Sequence, residues 1–246
     1  VGLGSPIAKG NTAMIYLQDE KIVKVYNHDL PNSESQNEAF KQRYAYSCGL
    51  SVPKILDITK IEGKQALVME YVKGTTMGDL LFNNKGQAKY YLDLSIDIQQ
   101  NIHSKPADVL EPMTEKLERQ IRSAPYIASG VKTALIEKLH SMSFENRLCH
   151  GDFHVYNLIL SEDNVTIIDW VDSSAGDIRA DVYRSYLLYS QVSEELAELY
   201  VSRYCEKSGL SRRDMFEWAP IVAAARLAEN VSTEDNERLL EIVEGD

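Results

Sequence analysis

The sequence predicts an α+β chain, with a small antiparallel sheet in its first third and helices through most of the rest. Three observations carry that prediction. Up to about Val72 the apolar residues come in short alternating runs separated by Gly- and Asp-containing turns, as in strands buried on one face. Beyond Gly74 they recur at intervals of three and four, as in helices with one buried stripe. The stretch 150–169, HGDFHVYNLILSEDNVTIID, sets two carboxylates and an amide around a short apolar hairpin, and marks where chemistry resides.

Composition limits the function classes. Of the 246 residues 44% are apolar, enough for a sizeable core. The 26 basic and 37 acidic side chains leave a net charge of −11, which disfavours nucleic acid and anionic membranes as partners and weakly favours a cationic substrate. Cys48, Cys149 and Cys205 are odd in number and widely spaced, so they suggest neither a disulfide framework nor a zinc knuckle. No apolar run approaches the roughly 18–20 residues of a membrane span. The opening VGLGSPIAKG lacks the regions of a secretory leader, and Val1 in place of Met suggests trimming. The expected location is the cytoplasm.

Within 7–26, strands are expected at 13–17 and 22–26, punctuated by Lys9-Gly10-Asn11 and Asp19-Glu20. Gly10 lets backbone approach a phosphate without a side chain in the way, although a plain hairpin gives the same pattern. Lys24 shares its strand face with Ile22 and Tyr26, which favours an ammonium directed into a site over a snorkelling edge lysine. Ser33-Glu34-Ser35-Gln36 reads as a capping box and Gly49 as a helix stop, predicting a helix over 34–48 that carries Glu38. Strands at 55–61 and 65–71 flank the turn Glu62-Gly63-Lys64. Tyr91, Leu94, Ile98 and Ile102 predict the buried stripe of a helix over 87–104, with further helices near 114–122 and 131–142. Another helix opens at 176–184, and from Ser193 two or three more are expected, interrupted by Gly209 and Pro220.

Hard cations such as Mg²⁺ take oxygen ligands and keep several waters. Asp152, Asn157 and Asp169 supply such oxygens, provided that strands 158–160 and 165–168 close over the turn Glu162-Asp163-Asn164 and bring Asp169 back beside Asn157. His150, Asp152 and His154 also alternate as zinc ligands might in a hydrolase, which leaves Asn157 and Asp169 without a role. Turn capping by isolated Asp and His is the remaining structural reading.

The order aspartate, four residues, asparagine, hairpin, aspartate resembles the catalytic segments of protein kinases, with His150-Gly151-Asp152 for HRD and Asp169-Trp170-Val171 for DFG. In this form it is similar to the aminoglycoside phosphotransferase and choline kinase family of the kinase-like fold, over most of the chain. The resemblance implies a protein-kinase-like two-lobed fold, with a small antiparallel-sheet N-lobe (1–72) that binds nucleotide. A larger helical C-lobe (73–246) would carry the catalytic loop, metal site and acceptor pocket. It implies that Glu38, eleven residues before Gly49, pairs with Lys24 on the phosphates of ATP or GTP. Met69 would wall the adenine pocket, with backbone N–H and C=O offered by Glu70 and Val72. Asn157 and Asp169 would hold Mg²⁺, and Asp152 would accept the proton of a hydroxyl. His150 would fix the loop by packing, and Asp181, with Arg184 one turn on, would brace it from behind. Val155-Tyr156 stands where small or proline residues are frequent in the family.

The implied activity is transfer of the γ-phosphoryl group to a hydroxyl of a small acceptor, amine-bearing as in aminoglycosides or choline. Trp170, Tyr183 and Tyr186 are expected near the site to attract an ammonium. A protein kinase is the alternative enzyme, disfavoured because too few residues follow Asp169 for an activation loop. A non-catalytic nucleotide-binding pseudokinase is the alternative binding module, disfavoured because Lys24, Asp152, Asn157 and Asp169 are all present.

Overall fold

The structure, a computed structural model, describes residues 3–10, 12–28, 30–162 and 164–245. In chain order it comprises strands β1 (Ala8–Lys9), β2 (Ala13–Gln18) and β3 (Lys21–Tyr26), helix α1 (Glu34–Ser47), and strands β4 (Ile55–Ile61), β5 (Lys64–Glu70) and β6 (Thr75–Thr76). Helices α2 (Met77–Asn83), α3 (Ala88–His103), α4 (Met113–Ser123) and α5 (Ser129–Ser141) follow. Strands β7 (Arg147–Cys149), β8 (Leu158–Leu160), β9 (Val165–Ile167) and β10 (Ser174–Gly176) come next. The chain continues with α6 (Ile178–Val192), α7 (Glu194–Ser208), α8 (Arg212–Phe216), α9 (Ala219–Leu227) and α10 (Asn236–Glu244). By contacts it divides into two compact units, Val1–Leu80 with Tyr156–Val171, and Leu81–Val155 with Asp172–Asp246. No helix among the described residues is long and apolar enough to cross a membrane.

The first unit is built on a five-stranded antiparallel sheet in the order β1-β2-β3-β5-β4. Asp19-Glu20 and Glu62-Gly63 turn tightly with positive φ at all four residues, as two-residue hairpin loops require. Of the expected turns, Asn11 and Asp163 lie outside the described residues. Strand β3 is buried on both faces: Tyr26 packs with Ala13, Ala39, Leu67 and Met69, while Val23 and Val25 pack with Ala66 on the other side. Helix α1 covers the Tyr26 face. It starts differently from expectation, because the Ser33 side chain makes no capping bond; Pro31 O accepts the Glu34 N–H instead, so a main-chain turn does the work of the capping box. The stop at Gly49 occurs with φ 78°. In the same unit β6 pairs with β8 and β8 with β9, which fixes the hairpin of the 158–168 segment. The Tyr156 ring lies where a Cβ on Gly78 would fall, so the glycine makes room for it.

In the second unit the buried stripe of α3 differs from the one expected. Tyr91 and Ile102 are buried as expected, but Leu94 and Ile98 are half-buried, whereas Leu92, Ser95, Ile96, Gln99 and His103 face inward. The polar members are tolerated because they are bonded: Gln99 donates to Asp181 and Ser185 and accepts from Tyr200, and His103 meets Asp181 and Tyr204. Among the described residues four helices, not two or three, follow Ser193. Gly209 ends α7 as a left-handed residue, but Pro220 sits in the first turn of α9, where no N–H is needed, and so starts a helix instead of interrupting one.

Two glycines with opposite surroundings test this packing. A Cβ on Gly74 would lie 2.5 Å from Leu160 O, beside the β6–β8 pairing, whereas Gly130 in α5 has nothing within 4 Å. Gly74→Ala should therefore destabilise by about 2 kcal/mol or more. Gly130→Ala should be neutral or stabilise by up to about 1 kcal/mol. Urea unfolding of the two variants and the parent measures both signs.

Candidate functional site

Lys24 is a buried charge of the first unit, with 6% of its surface exposed. Alternation along β3 puts it on the Tyr26 side, facing α1. There its Nζ lies 2.8 Å from Glu38 Oε1 and 3.1 Å from Asp169 Oδ1. Tyr26, which the sequence marks only as sharing the strand face of Lys24, donates its hydroxyl to Glu38 Oε2 at 2.5 Å and offers its ring 5.7 Å from the ammonium. Burial works against the charged lysine, but the carboxylates of Asp169 and Glu38 outweigh it and raise its pKa.

Asp169 stands two residues beyond β9 with φ 62°, a left-handed conformation that a non-glycine residue adopts only where its surroundings demand it. Its side chain is 40% exposed despite the contact with Lys24. The Ile168 N–H donates to Asn157 O, so the hairpin brings the buried Asn157 and Asp169 to its same end. A carboxylate and an amide there form the hard-oxygen donor set that suits Mg²⁺. Lys41, one turn after Glu38 on α1, donates to Val171 O at 2.6 Å and anchors the residues after Asp169. Its i+3 spacing from Glu38 was the available clue.

The remaining first-unit residues differ in what they can offer. Gly10 closes the β1–β2 hairpin by donating its N–H to Ala13 O. Met69 is buried against Ala13, Tyr26, Ala39 and Leu67. The Glu70 N–H is already donated to Lys54 O, so of the expected Glu70 pair only the carbonyl can serve a ligand. Val72 lies half-buried beyond the strand.

In the second unit β7 delivers His150, Gly151 and Asp152. His150 is fully buried, with its ring edge-on to Phe153, and its Nδ1 accepts the Asp152 N–H. Asp181, on α6, accepts from the Gly151 N–H at 2.7 Å, the His150 N–H at 3.3 Å and His103 Nε2 at 2.8 Å. Because a carboxylate only accepts, His103 donates through Nε2 and takes the Tyr204 hydroxyl at Nδ1. Burial opposes the charge on Asp181, yet His103 and the Gly151 N–H hold its pKa below the usual range. Gly151 has φ 80°, and a Cβ on it would lie 2.3 Å from Asp172 O.

The Asp152 carboxylate has His154 Nε2 at 3.5 Å and Arg184 Nη2 at 3.7 Å. Burial would neutralise it, but the His154 ring and the Arg184 guanidinium prevail and hold its carboxyl well below the ordinary carboxylate range. Lys116 of α4 donates to both the carbonyl and the carboxylate of Asp172. Neither Lys116 nor Asp172 carried a sequence signal, since 56 positions separate them along the chain.

The zinc alternative fails on geometry. Among the described residues the group that could converge on a metal is His103, Cys149 and Asp181, not the alternating His150, Asp152 and His154. Both His103 nitrogens are occupied, and burial pushes the Cys149 thiol up, away from the thiolate that zinc needs.

Comparison with known proteins places this arrangement. The profile of the Phosphotransferase enzyme family (APH) matches residues 4–220. Among solved structures, a thermostable mutant of the aminoglycoside phosphotransferase APH(4)-Ia superposes with a TM-score of 0.71 at 13% identity, covering 98% of this chain and 92% of that one. A choline/ethanolamine kinase family protein from Mesorhizobium loti gives 0.63 at 15% identity over 99% and 86%. Amicoumacin kinase hAmiN, in complex with AMP-PNP, Ca²⁺ and Ami, gives 0.66 at 15% over 98% and 88%. At these identities the likeness is one of fold: α+β, kinase-like and two-lobed.

The buried Asp181 predicts a pH signature. Its depressed pKa means that it contributes stability above its unfolded value near 4, and that this contribution is lost as pH falls toward its folded value. Asp181→Asn should cost about 1–3 kcal/mol at pH 7. The gap to the parent should narrow below about pH 4, as denaturant unfolding at several pH values will measure.

Proposed function

The chain belongs to the phosphotransferase enzyme family, and we propose that it transfers the γ-phosphoryl group of Mg-ATP, or Mg-GTP, to a hydroxyl of a small molecule in the cytoplasm. The observation that carries this reading is the buried cluster of Lys24, Glu38 and Asp169, an ammonium held in a fixed position next to a part-exposed carboxylate. Lys24 grips the α- and β-phosphates, with Glu38 and Tyr26 holding it. Gly10 allows close approach of backbone to phosphate, while Met69, the Glu70 carbonyl and Val72 receive the base. In this reading 1–72 serves the nucleotide, and 73–246 carries the loop, the metal ligands and the acceptor pocket.

Asn157 and Asp169 would hold the Mg²⁺, which supplies charge neutralisation of the phosphates. Asp152 orients the acceptor hydroxyl; as its oxygen bonds the γ-phosphorus and the bond to the β-phosphate oxygen breaks, the proton passes to the Asp152 carboxylate and the nucleoside diphosphate leaves. An aspartate held in its charged form suits this task, because the proton arrives late, when the attacking oxygen has become acidic. His150 and Asp181 keep the loop in shape through the backbone of 150–152. The short path from Asp169 to β10 and α6 contains no activation loop, which favours a small acceptor over a protein. Nucleic acid and membrane have no part in the reaction.

The case for an acceptor of the aminoglycoside or choline kind does not rest on aromatic recognition. Trp170 is fully buried with its indole N–H on Ile167 O, and Tyr183 is buried. The Tyr186 ring packs on Phe216 beneath Arg212. These rings fill the core or are already covered by a cation, so they do not recognise an amine. The net charge of −11 is the support that remains for an amine-bearing acceptor.

Asp169→Ala should weaken Mg-nucleotide binding and abolish turnover. Asp152→Asn should bind nucleotide like the parent and lose on the order of 10²–10⁴-fold in rate. Nucleotide titrations beside ATP-consumption assays over amino sugars, amino alcohols, nucleosides and sugars, with and without a chelator, test both. Unimpaired transfer by both variants, or turnover indifferent to chelation, would refute the proposal.

A further inference from the structure

Arg184 holds a pose that its own chemistry does not explain. It is 7% exposed on α6, with Nη2 2.8 Å from Glu229 Oε2 and 3.7 Å from Asp152 Oδ1, while its buried Nε has no partner. A guanidinium presents a planar fork that pairs best with a carboxylate through two donors, and a buried donor without a partner is costly. Turning toward Asp152 would let the fork engage that carboxylate; Glu229 prevents it. Glu229 is itself fixed by Arg226 Nη1 at 2.5 Å and Gln120 Nε2 at 3.4 Å, and Arg226 is tied to Glu234, which also takes Arg238. This run of alternating charges links the residues after α9 and the start of α10 to the carboxylate proposed as the base. Beside it a cavity of about 40 Å³, lined by Lys116, Gln120, Gly151, Arg184 and Glu229 among others, leaves room for the guanidinium to change pose.

We propose that Glu229 is a positioning residue for phosphoryl transfer: it restrains Arg184 so that the Asp152 carboxylate stays open to the acceptor hydroxyl. This rests on the kinase reading above and adds to it a residue remote in sequence from every motif. The other charged groups around Asp152 and Asp172 are His150, His154 and Lys116, and none of them bonds Glu229. Without Glu229, Arg184 pairs with Asp152 through its fork, and the carboxylate loses the lone pairs that would orient the hydroxyl.

The test uses Glu229→Gln, Arg184→Met and the double variant, with hydrolysis of Mg-ATP, water serving as the phosphoryl acceptor, and a crystal structure of Glu229→Gln. Glu229→Gln should lower kcat about tenfold or more, up to the loss expected for the general base itself, and leave KM for ATP within about twofold. Adding Arg184→Met should recover most of that loss, because the coupling runs through the guanidinium. The crystal structure should show Arg184 on Asp152. An Arg184 that stays in place, or a loss of equal size with and without Arg184, overturns the proposal. A parent that binds nucleotide but transfers nothing to water or to any acceptor class defeats the kinase reading instead, and the side-chain geometry is still decided by the crystal structure.

Discussion

Burial of the Lys24 ammonium is the constraint on which the first unit depends. An ion of this size loses several kcal/mol when withdrawn from water, and recovers it only through well-placed opposite charges. Glu38 and Asp169 provide those charges, and the Tyr26 hydroxyl holds Glu38 from behind. Strand β3, helix α1 and the β8–β9 hairpin must therefore keep register with one another, since loss of the buried Glu38 would leave the ammonium only the part-exposed Asp169, and loss of both would leave it uncompensated at a cost of about 3–5 kcal/mol. Lys41 extends the same restraint by anchoring Val171, so that Asp169 is held in its left-handed conformation from both sides along the chain.

The second unit solves a related problem with hydrogen bonds. Its loop at 150–152 has backbone N–H groups that point inward, where no sheet partner meets them. Asp181 takes two of them, and His103, Gln99, Tyr200 and Tyr204 complete its coordination and each other's. A buried network of this kind is favourable only when every member is satisfied, which makes the loop rigid and its geometry unique. Rigidity matters for phosphoryl transfer because little covalent chemistry is asked of the protein and most of the rate comes from position and charge.

The sequence made some of this legible and concealed the rest for definite reasons. Strand alternation identified β2, β3, β4 and β5 and put Lys24 on the face that it occupies, and motif spacing picked out Asp152, Asn157 and Asp169. Polar side chains that turn inward defeat a reading based on apolar spacing, as on α3, where Ser95, Gln99 and His103 displaced Leu94 and Ile98 from the buried stripe. Ion pairs between residues far apart in the chain, such as Lys116 with Asp172 or Arg184 with Glu229, leave no periodic trace at all. Aromatic residues near a motif suggest a ligand surface, but packing has the stronger claim on Trp170 and Tyr183.

The central claim is that the buried Lys24 cluster exists to hold nucleotide phosphates. Titration of AMP and ADP, each with Mg²⁺, into the parent and into Lys24→Met tests it most directly. A charge-assisted bond to the β-phosphate is worth about 1.5–3 kcal/mol, so the parent should prefer ADP over AMP by roughly 10- to 100-fold. Lys24→Met should bind AMP more weakly than the parent, through the lost α-phosphate contact, and lose most of the preference for ADP. An undiminished ADP preference in Lys24→Met would contradict the account.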